Sequence, residues 1–316
     1  MKIFTRRNFV KSICVGCLLL GIKISGAGNQ DIKAQSQVKK MQDKSSLCDE
    51  IEILFLGTGA ADWPRDKYPS DVNKLLRGDH RGLSSALINK KILIDCGPTV
   101  LLALEKFNVD VDVNLITDII ITHTHSDHFS LEVLVQLLKK RLVKEKINIW
   151  LEESAVFKTE KLSGYNIHPL TVINTFYVPD FEIVPLCANH KVEDSPEKPL
   201  HYLFKAKNKT FFYALDGAWL MTETWREIKK EKLDAIIWDA TIGQQNGDYR
   251  IFEHNSLDMI RYMNQALRSN GVLKDSSRIL LSHMARTLHS HHVELKKTLL
   301  PEKIIPAHDG MVVFIR

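Results

Sequence analysis

Short apolar runs bounded by Gly, Asn, Asp and Pro dominate the chain from Glu50 onward, and such runs read as strands. Residues 51–57 form one, ending in Gly57-Thr58-Gly59-Ala60, a strand passing into a glycine turn. Residues 85–89 and 92–96 flank Lys90-Lys91 and predict a hairpin. The same pattern predicts strands at 115–122 and 147–151, then at 175–178, 181–186, 202–206, 210–215, 235–238, 278–281, 304–306 and 311–315. Apolar positions at three- and four-residue spacing predict helices over 98–106, 131–143, 222–231, 256–267 and 291–299. The elements fall into two strand-rich batches, each with its own helices. That predicts an α/β (α+β) body of two sheets packed face to face with helices outside, and functional groups on loops at one edge.

Charge changes the reading of the first residues more than of the body. The formal net charge is +5, but Lys2, Arg6, Arg7, Lys11 and Lys23 are unopposed by any acid within residues 1–27. Removing those five leaves 38 basic and 38 acidic residues, a neutral body with no electrostatic case for nucleic-acid binding. Thr5-Arg6-Arg7-Asn8-Phe9-Val10-Lys11 resembles the twin-arginine export motif. It is followed by an apolar stretch over 13–24 and by Ser25-Gly26-Ala27, small residues suited to cleavage. Residues 1–27 therefore read as a signal peptide, too short and punctuated for a membrane span, and imply a periplasmic protein with no stable anchor after processing. That route carries folded proteins and suits metal uptake before export. Residues 28–49 are polar and aperiodic and read as a linker, leaving 50–316 as one domain. Cys14 and Cys17 go with the signal. Cys48, Cys96 and Cys187 make no disulfide framework.

The densest chemistry is His123-Thr124-His125-Ser126-Asp127-His128, directly after the apolar run Ile119-Ile120-Ile121. Residues two apart on extended backbone point the same way, so His123 and His125 face one ion together, while a turn at Ser126 brings Asp127 and His128 toward a second. Imidazole suits zinc and similar borderline metals, and a carboxylate completes a harder site. Three histidines and an aspartate within six residues are not accounted for by packing.

This H-x-H-x-D-H pattern after an apolar strand resembles the metallo-β-lactamase superfamily, with the phosphodiesterase and RNase Z-like branch as the nearest form. Leu56-Gly57-Thr58-Gly59 matches that family's opening strand and turn, and Leu93-Ile94-Asp95-Cys96-Gly97 its strand with a supporting aspartate. The resemblance implies an αββα sandwich of two mixed sheets holding two divalent ions. Zinc is the default, with manganese or iron as substitutes. It places His123, His125 and His190 on the first ion, Asp127, His128 and a last histidine on the second, and Asp216 between them. His283, ending a strand at Ile279-Leu280-Leu281, is the expected last histidine, with His308 in Pro306-Ala307-His308-Asp309-Gly310 as the competitor. Asp95 and Asp239 are expected to orient imidazoles.

In the phosphodiesterase branch a histidine set as His254 is, in Glu253-His254-Asn255-Ser256-Leu257, gives a proton to the leaving group. The resemblance thus implies a hydrolase, with a metal-bridging hydroxide as nucleophile and His254 as general acid acting on a small phosphodiester. One departure limits the analogy. The cysteine-rich zinc loop of the cyclic phosphodiesterases is missing from 60–81, where Trp63, Pro64, Arg65 and Arg77 stand. Alternatives on the same metals are an exported lactonase, β-lactamase or sulfatase. A non-hydrolytic cofactor-assembly protein, as in the pyrroloquinoline quinone branch, is a further one. His80, His168, His201, His289, His291 and His292 read as ordinary surface or core residues.

Overall fold

Runs rich in Ile, Leu and Phe that are buried on both faces need a layer on each side of the sheet they form. A computed structural model describes residues 50–107 and 111–316 and supplies those layers. One sheet contains β1 (Ile51–Gly57), β2 (Ser85–Ile88), β3 (Ile92–Ile94), β4 (Asp118–Ile120), β5 (Ile147–Glu152), β6 (Tyr165–Leu170) and β14 (Val312–Ile315), in the order β14-β1-β2-β3-β4-β5-β6. The other contains β7 (Phe176–Val178), β8 (Phe181–Cys187), β9 (Leu200–Lys205), β10 (Thr210–Ala214), β11 (Leu233–Asp239), β12 (Leu273–Ser282) and β13 (Ile304–Pro306), in the order β13-β12-β11-β10-β9-β8-β7. Both sheets are mixed. The last strand crosses back to pair antiparallel with β1, Ile51 against Ile315, and ties the two batches together.

The two-residue period of each strand sorts its side chains between layers. Ile51, Ile53 and Phe55 of β1 face the other sheet, where they meet Tyr202, Phe204, Phe211 and Ile237. Leu54 and Leu56 point outward, beneath helices α1 (Val72–Leu76), α2 (Val100–Lys106) and α3 (Leu131–Lys140). Helices α4 (Thr222–Ile228), α5 (Leu257–Ser269) and α6 (His292–Leu299) cover the outer face of the second sheet through Ile228, Ile260 and Leu295. Each large aliphatic side chain buried this way contributes about 1.5–3 kcal/mol.

Direction places the site. Strands β3 to β6 run parallel, as do β10 to β13, and the carboxyl ends of both sets meet at one edge. Asp95 follows β3, His123 follows β4, Asp216 follows β10, Asp239 ends β11 and His283 follows β12. Two hydrogen bonds join the sheets there. Leu200 N donates to Thr122 O at 2.8 Å, and Tyr202 Oη donates to Ile121 O at 2.5 Å.

Most predicted elements form, and the departures have local causes. The strand predicted over 115–122 is shortened to β4. Residues 113–115 make a 3-10 turn, and Thr122 N leaves the ladder to bond Asp95 Oδ1 at 2.8 Å. The helix predicted to 143 stops at Lys140, because Asn114 Oδ1 takes the amides of Leu142 and Val143 at 2.7 and 3.4 Å. Strand β6 was not anticipated: it has little apolar alternation and contains Pro169, tolerated because β6 is an edge. Helix α1 lies in a stretch to which no element was assigned. The signal peptide, the linker and Cys14, Cys17 and Cys48 fall outside the described residues.

Candidate metal centre

The 123–128 loop is seated from below by β3. Cys96 N donates to His128 O at 2.8 Å, and Ser130 N to Cys96 O at 3.0 Å. Gly97 makes the approach possible, since a Cβ there would lie 1.8 Å from Asp127 O. Asp95 adopts a left-handed φ of 59°, turning its carboxylate under the loop, where it accepts from His128 Nδ1 at 2.8 Å and from Thr122. On the far side, Glu197 accepts from Thr124 N at 2.7 Å and also bonds the hydroxyl of Thr124, while Lys158 reaches both residues.

The second sheet supplies the remaining groups. Asp216 Oδ2 lies 3.3 Å from His128 Nε2, 3.8 Å from His123 Nε2 and 3.9 Å from His190 Nε2, and its Oδ1 lies 3.1 Å from His283 Nε2. Asp127 Oδ2 is 3.4 Å from His128 Nε2 and 3.6 Å from His283 Nε2. His123, His125 and His190 form one candidate ligand set, and Asp127, His128 and His283 another. Within each set the ligand atoms lie within 4.8 Å of one another, and Asp216 sits between the two. His283, at a left-handed φ of 54°, is turned into this cluster. His308 is not: it directs Nδ1 at Asp309 O and packs edge-on against His292.

Outer acceptors let the ring protons be assigned to the outward nitrogens. His128 Nδ1 donates to Asp95. His123 Nδ1 donates to Thr122 Oγ1 at 3.0 Å, whose own proton goes to Asp95. His283 Nδ1 donates to Thr241 Oγ1 at 2.7 Å, which in turn donates to Asp239 at 2.7 Å. His125 Nε2 donates to Glu193 at 3.1 Å, and His190 Nδ1 to Glu253 O at 3.3 Å. With the protons so assigned, every inward nitrogen presents a lone pair to the cluster. His123 Nε2 faces His125 Nδ1 at 2.9 Å, His190 Nε2 faces His125 Nδ1 at 3.1 Å, and His128 Nε2 faces His283 Nε2 at 3.2 Å. Nitrogens at such distances need a proton or a metal cation between them, and Asp216 Oδ1 is buried with no donor of its own. The donor set therefore fits two divalent ions, of the mixed imidazole and carboxylate kind that zinc, manganese and iron accept.

His254 is wired differently. Its Nδ1 donates to Asp239 Oδ2 at 2.6 Å, and its ring stacks on His283 at 5.4 Å. Burial opposes a charge on this ring, but Asp239, with Asp216 and Glu253 beyond it, outweighs burial and lifts the pKa to about 9. His190, by contrast, is held down to about 4, chiefly by burial. The Asp216 and His254 loops are stitched together: Asn255 Nδ2 donates to Gly217 O at 2.7 Å, and Gly217 N to Asp239 Oδ2 at 3.0 Å.

These groups floor a cleft of ≈ 750 Å³ whose wall includes Asp62, Tyr249, Arg250 and Phe252. All ten residues singled out from sequence as ligands, supports or acid converge here. Sequence reasoning missed Thr122, Thr241, Glu193, Glu253 and Glu197, whose single polar side chains leave no pattern. It also passed over His201, which donates from Nε2 to Asp216 O at 3.0 Å. The signal available for His201 was its place in a strand of otherwise apolar burial.

Comparison with known proteins agrees with this geometry. A family profile described as a beta-lactamase superfamily domain matches residues 90–284. The fold is similar to the metallo-beta-lactamase fold protein YhfI from Bacillus subtilis, at 16% identity, covering 84% of this chain and 100% of that one, with TM-score 0.62. It is also similar to a diphosphatase of the PhnP family (18% identity, 84% and 97% covered, TM-score 0.63) and to the short form of human tRNase Z (20% identity, 84% and 99% covered, TM-score 0.60). No curated protein sequence matches the chain. A profile match over the greater part of the chain, on a sandwich whose sheet edges gather two histidine–aspartate ligand sets, leaves one assignment: this chain belongs to the beta-lactamase superfamily and has the metallo-β-lactamase fold.

Proposed function

We propose that the protein hydrolyses a small phosphodiester, with His123, His125 and His190 holding one divalent ion, Asp127, His128 and His283 a second, and Asp216 both. The ions, when bound, supply an activated water and offset the charge of the phosphoryl group. The observation that carries the phosphodiester reading is His254. It sits on the cleft wall beside both ligand sets, its Nδ1 is committed to Asp239, and its Nε2 has no protein partner among the described residues. A ring held cationic near neutral pH is an acid suited to an alkoxide leaving group, the poorest group such a reaction expels. Asp239 keeps the acid's proton at the right face, and Thr241 couples that carboxylate to His283.

The test is hydrolysis of bis(p-nitrophenyl) phosphate and of a dialkyl phosphodiester, whose alkoxide leaving group needs the acid most, by the metal-loaded protein and by His254→Ala, with metal content measured on both. Turnover that falls in the variant while metals stay bound supports the assignment. A fully loaded protein that leaves both diesters intact but opens esters or lactones refutes it. We also propose that residues 1–27 export the protein to the periplasm. Cell fractionation, with Arg6→Lys plus Arg7→Lys as the export-blocked control, tests that placement.

A further inference from the structure

The turns that precede β3, β4 and β5 gather at the edge opposite the metal centre, because those strands are parallel and their carboxyl ends carry Asp95 and His123. The turn before β5 is unlike the rest of the surface. Lys139, Lys140, Arg141, Lys144 and Lys146 stand there with three acids, Glu145, Asp112 and Glu105, the last paired with Lys140 at 2.5 Å, in a body whose formal charges sum to zero. At their centre Leu142 is 88% exposed, with Val143 and Leu115 exposed beside it. This tip is held in place. Asn114 accepts from the amides of Leu142 and Val143 and is itself fixed by donating to Asp112 at 2.8 Å, while Arg141 Nη1 donates to Glu145 O at 3.0 Å. The backbone is thus pinned, and the apolar and cationic side chains are presented outward.

We propose that this tip is a docking surface for an anionic lipid bilayer, gripping it reversibly through the lysines while Leu142 and Val143 enter the headgroup boundary. Aliphatic side chains ringed by lysine suit that boundary. A single-stranded nucleic acid would instead call for aromatic platforms, and none stands among these residues. No helix of the described residues is long and apolar enough to cross a membrane, so the attachment would be peripheral. The bound protein would keep its cleft facing the solution, since the cleft opens at the opposite edge.

Residues Leu47–Arg316 form a compact unit with all three apolar cores, so this unit can be assayed without the apolar stretch of residues 13–24, which would bind lipid by itself. The assay is co-sedimentation with phosphatidylcholine vesicles and with vesicles that also contain phosphatidylglycerol, at low and high salt. Affinity is expected to be more than about tenfold greater for the anionic vesicles and to fall with salt. Leu142→Ser should weaken it severalfold, and Lys139→Glu with Lys144→Glu and Lys146→Glu should abolish it. All four positions are exposed, and unchanged thermal melting would show the variants folded. Equal affinity for neutral vesicles, no affinity for either, or binding by the charge-reversed variant overturns the proposal. So does salt-sensitive binding of heparin or RNA in the absence of vesicle binding.

Discussion

Two buried polar clusters lie at the carboxyl edge of the sheets, and they solve the same electrostatic problem in opposite ways. In the first, Asp216 and Asp127 are buried among five imidazoles whose inward nitrogens face one another. In the second, Asp309 is buried near Arg81, the Thr58 hydroxyl lying between them, and burial lifts its pKa to about 7 despite the donors and the guanidinium. Asp309 accepts from Thr58 N at 2.9 Å, from Thr58 Oγ1 at 2.7 Å and from Gly82 N at 2.5 Å. Arg81 donates to Thr58 Oγ1 at 2.5 Å and to Ala307 O at 2.7 Å, and its Nη2 lies 3.1 Å from His292 Nδ1. A buried carboxylate needs a counter-charge or must stay protonated. The second cluster contains its own cation. The first contains only ligand atoms, so its cation has to come from outside the chain. Histidine is present in both, and it is the partner of the histidine, not the histidine itself, that separates a ligand from a packing residue.

The largest effect is expected from removing a ligand. Asp127→Ala deletes the carboxylate of the second set and should cost several kcal/mol of transition-state stabilisation, about 10³-fold in kcat. Metal analysis should show about half the metal of the parent, with the fold retained by circular dichroism. An inactive variant that keeps its full complement would contradict the role assigned to Asp127. In the other cluster, Arg81→Met removes the internal cation and its bonds to Thr58 and Ala307, while Asp309 keeps its donors from Thr58 and Gly82, a loss of about 1–3 kcal/mol in urea unfolding. Its metal content should not change. If stability survives the substitution, the guanidinium is not what offsets Asp309.

Metal removal should distinguish the clusters next. At free metal about 100 times Kd, binding adds about 2.7 kcal/mol per ion, roughly 5–10 °C in Tm for each in a domain of this size. Chelation should lower Tm by that amount in the parent and by the same amount in Arg81→Met, because the two clusters draw on different cations. Asp95→Asn should be milder, about 10–100-fold in metal affinity, since it touches the metal only through His128 and Thr122. Competition with a chromophoric chelator reads that change directly, and full affinity in the variant would remove Asp95 from its supporting role.

The first half of the site was legible because it is contiguous: a strand followed by four ligand-type residues within six positions is a pattern in itself. The second half was legible only through strand ends. Asp216 and His283 each follow an apolar run, and the resemblance supplied the rest. His283 against His308 stayed open in sequence, as both follow strands of the same sheet. Only packing separates them, since Arg81 and His292 occupy the neighbourhood of His308. The residues that set tautomers, Thr122, Thr241, Glu193 and Glu253, were invisible because a lone hydroxyl or carboxylate on a loop is commonplace. The helix predicted to 143 failed for a related reason. Its apolar spacing continued, but Asn114, 28 residues before Leu142, captured the amides that the next turn would have used.

The smallest effect is a pH dependence in the cluster that binds no metal. His292 is buried beside Arg81, and burial together with that guanidinium holds its pKa down to about 3, so the ring stays neutral in the fold across the physiological range. Unfolded, it titrates near 6.5. A histidine with a depressed folded pKa binds protons more readily when unfolded. Its contribution to stability is therefore complete above about pH 6.5 and is lost as pH falls toward 3. At about pH 5 the unfolded chain gains about 2 kcal/mol from protonating this one ring, and partial solvent access reduces the net effect to about 1 kcal/mol. The buried His201 and the half-buried His289, each held down to about 4 mainly by burial, work in the same direction, so the parent alone cannot isolate the contribution of His292. The difference between the parent and His292→Gln can. Unfolding free energies measured on metal-free protein should show His292→Gln regaining about 1 kcal/mol relative to the parent between pH 7 and pH 5. A difference that stays constant over that range would mean that His292 titrates in the fold as it does in the unfolded chain, and that neither burial nor Arg81 holds its proton off.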